Sequence, residues 1–322
     1  MSIWKLRFSV IGTLAVIIGI STLFFTILLT LTQAFNLITL VIFVVIFNIA
    51  QWLFAPYLID LIYRARIVKK SENPKLYGIV EMLSQKSGIK MPRLMIANIP
   101  VPNAFAYGSP IAGTRVAVTK GLLEKLEDEE VEAVIGHELG HLKHRDVQVM
   151  MFVSLLPAIF YFIGYSMILS SMFGRRDERG SSGAAIIIGM ASMLVYWILY
   201  IFTLYLSRVR EYYADRHSAT IVEDGPRKLS EGLAKIVRSS GRMKRASRQT
   251  SNFSSFKSLF IADPDRAELD TVAIGQAKAF TTDRKLVEEV LRRKVTTLDR
   301  IAEILSSHPN IVKRLRALQE LA

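Results

Sequence analysis

The feature that most limits what this chain can fold into is a long stretch without charged side chains, residues 8–59. The stretch is too long for a signal peptide, whose apolar core covers roughly 7–15 residues. It has room for two helices of about 20 residues, the length that crosses a bilayer. Polar residues interrupt it at 30–36, so we predict an N-terminal transmembrane hairpin over residues 1–65, with helices at 9–31 and 36–59.

Two further stretches, residues 147–174 and 180–207, also lack charged side chains. Each exceeds the roughly 18 residues that indicate a membrane-spanning helix. A polar turn at 175–179 separates them, so we predict a second transmembrane hairpin over residues 147–207. The core of a large soluble protein is the alternative, and the length of the stretches argues against it. The expected fold class is therefore a mainly α membrane protein with about four transmembrane helices.

The net charge of +13 has two explanations. One is nucleic-acid binding through phosphate contacts, but no motif with interleaved basic and aromatic residues is present, so we predict no nucleic-acid partner. The other is a membrane protein whose Lys and Arg residues lie on the cytoplasmic side. Lys5 and Arg7 precede the first helix of the N-terminal hairpin, and Arg64 and Arg66 follow its second helix. We therefore expect a multi-pass protein of the cell membrane, with both termini and the soluble parts in the cytoplasm.

The motif with the clearest chemistry lies at residues 137–141, which read His-Glu-Leu-Gly-His. Because positions i and i+4 share one face of a helix, His137 and His141 can bind one metal ion. The chain has no cysteine, so the metal ligands must be histidine or carboxylate, and zinc suits them. Glu138 points about 100° away from His137, where it can accept a proton from a water molecule that zinc polarises. The alternative is a surface helix with two solvated histidines.

A catalytic zinc site of this kind needs a third protein ligand. His144 shares the helix face of His137 and His141. However, three ligands in a row along one helix cannot easily surround a small ion. Its alternative is a location near the lipid headgroups. Glu211 is the better candidate, because it follows the second hairpin about as closely as His141 precedes it. Asp215, one turn further on, is expected to accept the outer N–H of a ligating histidine. Its alternative is a surface ion pair with a neighbouring arginine.

Soluble segments flank the second hairpin. Residues 66–146 contain short β-rich runs at 93–96 and 115–118, so we predict a small sheet beside a helix at 123–145 that carries the metal motif. Residues 208–322 are mostly polar and helical in pattern, and we expect them to form a cytoplasmic part that supplies the third zinc ligand.

These residues resemble the HtpX family of membrane metalloproteases and, more distantly, the CAAX prenyl proteases. The resemblance rests on the motif at 137–141, on Ser-Arg-Val-Arg-Glu-Tyr-Tyr-Ala-Asp at 207–215, and on shorter segments at 103–108, at 121–123 and at His308-Pro309 with Arg314. It covers about residues 70–262 and 306–322.

The resemblance implies an α+β, zincin-like metalloprotease domain with one zinc ion per chain. It implies that His137, His141 and Glu211 hold the zinc, that Glu138 is catalytic and that Asp215 supports the site. It further implies an edge strand at 103–107 that aligns substrate by strand addition. Further residues implied to bind substrate or support the ligands are Asn103, Ala104, Phe105, His308 and Arg314. For His308, oxyanion stabilisation and a helix start at Pro309 are equal alternatives.

The family's biology implies an endopeptidase for protein quality control under stress, which degrades damaged or misassembled membrane proteins on the cytoplasmic side. The expected partners are polypeptides and the lipid bilayer. Residues 263–305 depart from the family pattern and look like an insertion specific to this lineage. Two other functions remain open: a site-specific processing protease like the CAAX enzymes, and a catalytically silent adaptor stabilised by zinc. Glu138 argues against the adaptor, because a structural zinc site needs no general base.

Overall fold

The computed structural model describes residues 37–173, 181–246 and 283–322. Within these ranges the chain is mainly helical, with one small sheet and three helices that are long and apolar enough to cross a membrane. This confirms the expected fold class. The first predicted membrane helix, 9–31, and the predicted turn at 175–179 lie outside the described residues.

The secondary-structure elements follow one another in chain order. They are α1 (Leu37–Tyr63), β1 (Ala65–Ile67), α2 (Pro74–Ser87), β2 (Arg93–Ala97), β3 (Ala104–Ser109), β4 (Gly113–Thr119), α3 (Lys120–Lys125), α4 (Asp128–Lys143), α5 (Asp146–Phe173), α6 (Ser181–Ile221), α7 (Gly225–Ala246), α8 (Asp283–Arg292), α9 (Thr297–Ile304) and α10 (Ile311–Gln319). The second predicted hairpin corresponds to α5 and α6. Helix α6 continues past the uncharged stretch, because nothing in residues 208–221 breaks a helix.

The described chain divides into two compact units, and the first contains the described parts of residues 1–52 and 149–203. It consists of portions of α1, α5 and α6. Many large apolar side chains point outward from it, as expected where the solvent is lipid: Ile46, Phe152, Ile187, Met190 and Leu194. An added Cβ at Gly164 would lie 2.9 Å from the carbonyl oxygen of Gly189, so small residues allow α5 and α6 to approach closely here.

The second unit, residues 53–148 and 204–322, contains a four-stranded sheet with the order β1-β2-β4-β3. Strands β2 and β4 are parallel, whereas β3 is antiparallel to β4 and forms an edge of the sheet. Thr119 donates its backbone N–H to the carbonyl of Asn103, so alternation along the ladder pairs the odd-numbered residues of β3 with β4. The backbone groups of Ala104, Ala106 and Gly108 therefore face away from β4.

The main core of this unit lies between one face of the sheet and helices α2, α4, α7, α8 and α10. Helix α7 shows why the helices pack as they do: its buried apolar residues recur at helical spacing, at Leu229, Leu233, Ile236 and Val237. The other face of the sheet packs against the end of α1, at Ile59 and Tyr63.

Residues 283–305 are the described part of the predicted insertion, and their first helix, α8, belongs to this core. Leu286, Val287 and Val290 of α8 are buried in it. Glu303 of α9 accepts the backbone N–H of Asn310 at 3.0 Å, at the start of α10. The segment therefore supports the start of α10. That it is an insertion specific to this lineage stays a prediction.

Candidate active site

Helix α4 carries the motif at residues 137–141. Glu130 caps the helix start by accepting the backbone N–H of Glu127 at 2.8 Å, and the acidic residues of the first turn suit the helix dipole. One side of α4 packs into the main core through four apolar side chains: Val131, Val134, Ile135 and Leu139. His137 and His141 lie on the side that α6 approaches. The predicted helix at 123–145 is thus divided into α3 and α4, and α4 presents both imidazoles to the same neighbour.

The two imidazoles converge on one point. Their Nε2 atoms are 3.2 Å apart, and the ring planes are inclined at 87°. Two nitrogens bound to one tetrahedral zinc ion at their usual bond length would lie about 3.3 Å apart. His137 and His141 are therefore spaced as ligands of a single ion.

Glu211 of α6 completes a group of three donors. Its Oε1 lies 3.5 Å from Nε2 of His141, and its Oε2 lies 3.6 Å from Nε2 of His137. One donor atom from each residue lies within 4.8 Å of the other two, and no second group of this kind occurs among the described residues. The third ligand expected from the sequence is thus brought next to the histidine pair.

A seam of small residues allows α6 to come this close to α4. Gly136 and Gly140 are one turn apart on α4, and they face Ala214 and Ser218, one turn apart on α6. A Cβ added to Gly140 would lie 3.0 Å from Cα of Ala214. The hydroxyl of Ser218 donates a hydrogen bond of 2.6 Å to the carbonyl of Ala133. Because Glu211 precedes Ala214 by one turn, the seam sets its distance from the histidines.

Carboxylates face the outer nitrogen of each imidazole. Nδ1 of His137 lies 2.9 Å from Oδ1 of Asp215, which is buried as a ligand-supporting residue should be. Nδ1 of His141 lies 2.6 Å from Oδ2 of Asp146, the first residue of α5. Such partners direct the Nε2 lone pairs toward a metal and raise ligand basicity. The sequence predicts this role for Asp215 but gives no sign of it for Asp146.

Arg314 of α10 contacts two carboxylates of the site, those of Asp215 and Glu211. Its guanidinium donates two hydrogen bonds to Asp215, through Nε at 2.9 Å and Nη2 at 2.5 Å, and its Nη1 lies 3.2 Å from Oε2 of Glu211. His308, just before α10, is also buried, with Nε2 4.0 Å from Oε1 of Glu211. Both residues thus lie at the site, and Asp215 pairs with Arg314 and His137 rather than with a surface arginine.

The charge balance of the site favours a cation. Burial lowers the pKa of His137, but the carboxylates of Asp215 and Glu211 outweigh burial and raise this pKa to about 9. In the described structure Oε2 of Glu211 is buried, and its ion pair with Arg314 does not have the geometry of a hydrogen bond. A divalent ion in place of a proton on His137 would use that oxygen and both Nε2 atoms. Two imidazoles and one carboxylate are donors that zinc accepts, so the residues fit this metal.

Glu138, the predicted general base, is buried next to the histidines. Burial raises the pKa of its carboxyl group, against the attraction of His137 and His141. Its Oε2 accepts the backbone N–H of Ala106 at 2.8 Å. The carboxylate is therefore held between the metal group and the outer side of the edge strand β3.

The other predicted substrate residues differ in where they point. Ala104 is buried on the side of the sheet that faces the main core, while Phe105 packs on the opposite face, with its ring centroid 5.1 Å from that of Tyr63. Asn103 is buried, and its backbone N–H donates to the hydroxyl of Thr119 at 2.9 Å. The Phe105 side chain therefore lies away from Glu138, and Asn103 fixes the start of the strand.

His144 does not join the metal group. It is exposed at the end of α4, and its ring centroid lies 6.0 Å from those of Tyr213 and His217. The next residue, Arg145, has a φ of 56° and marks the break between α4 and α5. The same break brings Asp146 to His141.

The chain is similar to known proteins along nearly all of its length. A family model described as Peptidase family M48 matches residues 70–322. A protease HtpX homolog of Thermoplasma acidophilum is 35% identical over 326 residues, which covers 100% of this chain and 94% of the relative. A protease HtpX homolog of Picrophilus torridus is 37% identical, with 99% of this chain and 98% of the relative covered.

Among solved structures, the crystal structure of S. mikatae Ste24p is similar in fold. Its TM-score is 0.56 at 16% sequence identity, and the match covers 98% of this chain and 66% of that chain. At this identity the likeness concerns the fold alone.

Proposed function

The chain belongs to peptidase family M48 and is a membrane metalloprotease, and we propose that it is a zinc endopeptidase that cleaves damaged or misassembled membrane proteins at the cytoplasmic face. The observation that carries the proposal is the group formed by His137, His141 and Glu211, with Glu138 beside it. A structural zinc site would fill its fourth position with another protein ligand, whereas this one has a buried carboxylate next to three donors.

The proposed chemistry assigns one role to each group. Bound by His137, His141 and Glu211, zinc would act as a Lewis acid on water and on the peptide carbonyl. Glu138 would accept a proton from the attacking water and later deliver it to the leaving amine. The raised pKa of its carboxyl group suits this exchange, because a general base works best when its pKa lies near the working pH. Asp215 and Asp146 would hold the imidazoles in the tautomer that leaves Nε2 free for the metal.

Substrate would bind as an extended strand beside β3. The backbone groups of Ala104, Ala106 and Gly108 are the ones directed away from β4, and a peptide can pair with such an edge regardless of its side chains. This mode suits a protease that must accept many unfolded sequences. The N–H of Ala106 already donates to Glu138, so a peptide on this edge would run past the general base.

The cytoplasmic assignment rests on charge. The polar ends of the predicted hairpins are rich in Lys and Arg, as in Arg64 and Arg66 after the first and Arg208 and Arg210 after the second. Such residues accumulate on the cytoplasmic side of membrane proteins.

The experiment compares the full chain with two substitutions, Glu138→Gln and, as a matched control, Glu124→Gln on the exposed surface of α3. Each protein is purified in detergent, its zinc is measured by mass spectrometry, and cleavage of casein, an unfolded polypeptide, is followed. We expect the control to match the native chain. Glu138→Gln should keep its zinc and lose activity by about 10²–10⁴-fold, the usual contribution of a general base.

Two results would contradict the proposal. Loss of zinc in the Glu138→Gln protein would make Glu138 a ligand rather than a base. The substrate class is tested by reconstituting the protease with a membrane protein and a destabilised variant of it. Cleavage of a prenylated peptide, with neither membrane protein touched, would favour the site-specific processing function instead.

A further inference from the structure

Helix α9 is arranged with its apolar side outward. Leu298, Ile301 and Ile304 follow at three-residue intervals, so they lie on one side of the helix, and they are 68%, 43% and 47% exposed. The inward side carries acidic residues instead. Glu303 is 8% exposed, and Asp299 is half-buried in an ion pair with Arg293. A helix at a water-exposed protein surface normally has the reverse pattern.

The end of α9 is hydrogen-bonded to Arg208 of α6. Arg208 directly follows the uncharged stretch 180–207. Its Nη1 donates to the carbonyl of Glu303 at 2.7 Å and to that of Ser306 at 2.7 Å. The guanidinium also lies over the ring of Tyr205, which is 59% exposed, at 5.9 Å from the ring centroid. Tyrosine and arginine at the end of an apolar helix are typical of the lipid–water boundary.

Basic side chains border the apolar side of α9. Arg300 lies between the apolar residues along the helix and is exposed, and Lys294 is exposed just before the helix. Long basic side chains at such positions can bury their carbon stems and place the charge among lipid phosphates. The acidic residues of the helix are turned inward, so its outer side presents apolar and positively charged groups together.

We propose that α9 lies in the surface of the lipid bilayer as an interfacial helix. Leu298, Ile301 and Ile304 enter the boundary between headgroups and acyl chains, while Arg300 and Lys294 contact the phosphates. We assign lipid as the occupant of this apolar face, because Arg208, which bonds to the end of α9, directly follows the uncharged stretch of α6. Helix α9 precedes α10, which supplies Arg314, so the contact would also tie one support of the metal site to the membrane surface.

The chain lacks cysteine, so one introduced cysteine gives a single labelling position. The test uses the full chain with Leu298→Cys or Ile301→Cys, each carrying an environment-sensitive fluorophore, in nanodiscs that hold one copy. Lys90→Cys, in an exposed turn after α2, is the control. Quenching is measured with lipids spin-labelled near the headgroup and with iodide in the water. Unfolding temperatures of the labelled proteins, matched to the native chain, exclude misfolding.

We expect the probes on α9 to emit at shorter wavelength than the control and to be quenched at least about twofold by the labelled lipid, while iodide quenches mainly the Lys90 probe. Probes on α9 that iodide quenches as strongly as the control would overturn the proposal, because the face would be open to water. Probes shielded from both quenchers would overturn it too, because protein rather than lipid would cover the face.

Discussion

Oδ2 of Asp146 lies 2.6 Å from Nδ1 of His141, although the two residues belong to different helices. Asp146 also lies 3.5 Å from Nη1 of Arg210 on α6. The first residue of α5 therefore links α4, which carries His137 and His141, to α6, which carries Glu211.

We expect Asp146→Ala to weaken zinc binding by about 10–100-fold, the usual effect of losing the partner of a ligating histidine. The reason is that Nδ1 of His141 would lose the acceptor that keeps Nε2 directed at the metal. Titration against a zinc chelator measures the change. Asp128→Ala, at the first position of α4, removes a surface carboxylate paired with Lys75 and should leave zinc affinity unchanged. Equal affinities for the two variants would mean that Asp146 has no part in metal binding.

Replacing Arg314 by Leu should destabilise the fold by about 3–5 kcal/mol, because it removes the guanidinium that pairs with the buried carboxylates of Glu211 and Asp215. The loss should be smaller in the zinc-loaded protein, since the ion then neutralises part of this charge. Denaturant unfolding with and without zinc measures both values. Arg284→Leu, at an exposed position of α8, is the control and should change little. A loss that zinc does not reduce would separate Arg314 from the metal site.

Replacement by alanine should have opposite effects at Gly140, in the seam between α4 and α6, and at Gly78, which lies outside the seam. Gly140→Ala puts a Cβ 3.0 Å from Cα of Ala214, so the helices must separate, and we expect about 1–3 kcal/mol of destabilisation together with weaker zinc binding. Gly78→Ala lies within α2, where an added Cβ meets nothing within 4 Å. It should stabilise the protein by about 0.5–1 kcal/mol, because alanine favours a helix interior. Thermal unfolding of both variants decides; a tolerated Gly140→Ala would show that the close approach is not needed.

Zinc affinity should depend on pH in one direction. The pKa of His137 is raised to about 9 in the metal-free site, so below that pH zinc must displace a proton. Apparent affinity should therefore rise with pH, by up to about tenfold for each pH unit, and level off near the pKa. Calorimetry in two buffers of different ionisation enthalpy would detect the released proton at pH 7.5. Affinity that is constant from pH 6 to pH 8 would contradict this account.

Local patterns in the sequence predict the parts of the site that depend on helix periodicity. His137 and His141 share a face because they are four positions apart, and Glu211 and Asp215 repeat the same spacing. The uncharged stretches likewise predict α5 and most of α6. Strand β1 escapes prediction, because three residues cannot show a periodic pattern.

The remaining parts depend on contacts between distant segments. Arg314 pairs with a carboxylate 99 residues earlier in the chain, and only the family resemblance points to it. Asp146 is close in sequence to His141 but lies beyond a turn, so helix geometry gives no reason to connect them. The inverted pattern of α9 becomes visible only when burial is known, because Asp299 and Glu303 look like ordinary surface residues in the sequence.

The break between α4 and α5 is set by a single residue in a left-handed conformation, Arg145. One added or deleted residue at this point would rotate the start of α5 by about 100° and move Asp146 away from His141. Substitutions can vary here, and glycine would even relieve the backbone strain, but the number of residues cannot. The number of residues between His141 and Asp146 is therefore fixed. Libraries of variants with insertions or deletions at this junction should contain no active members.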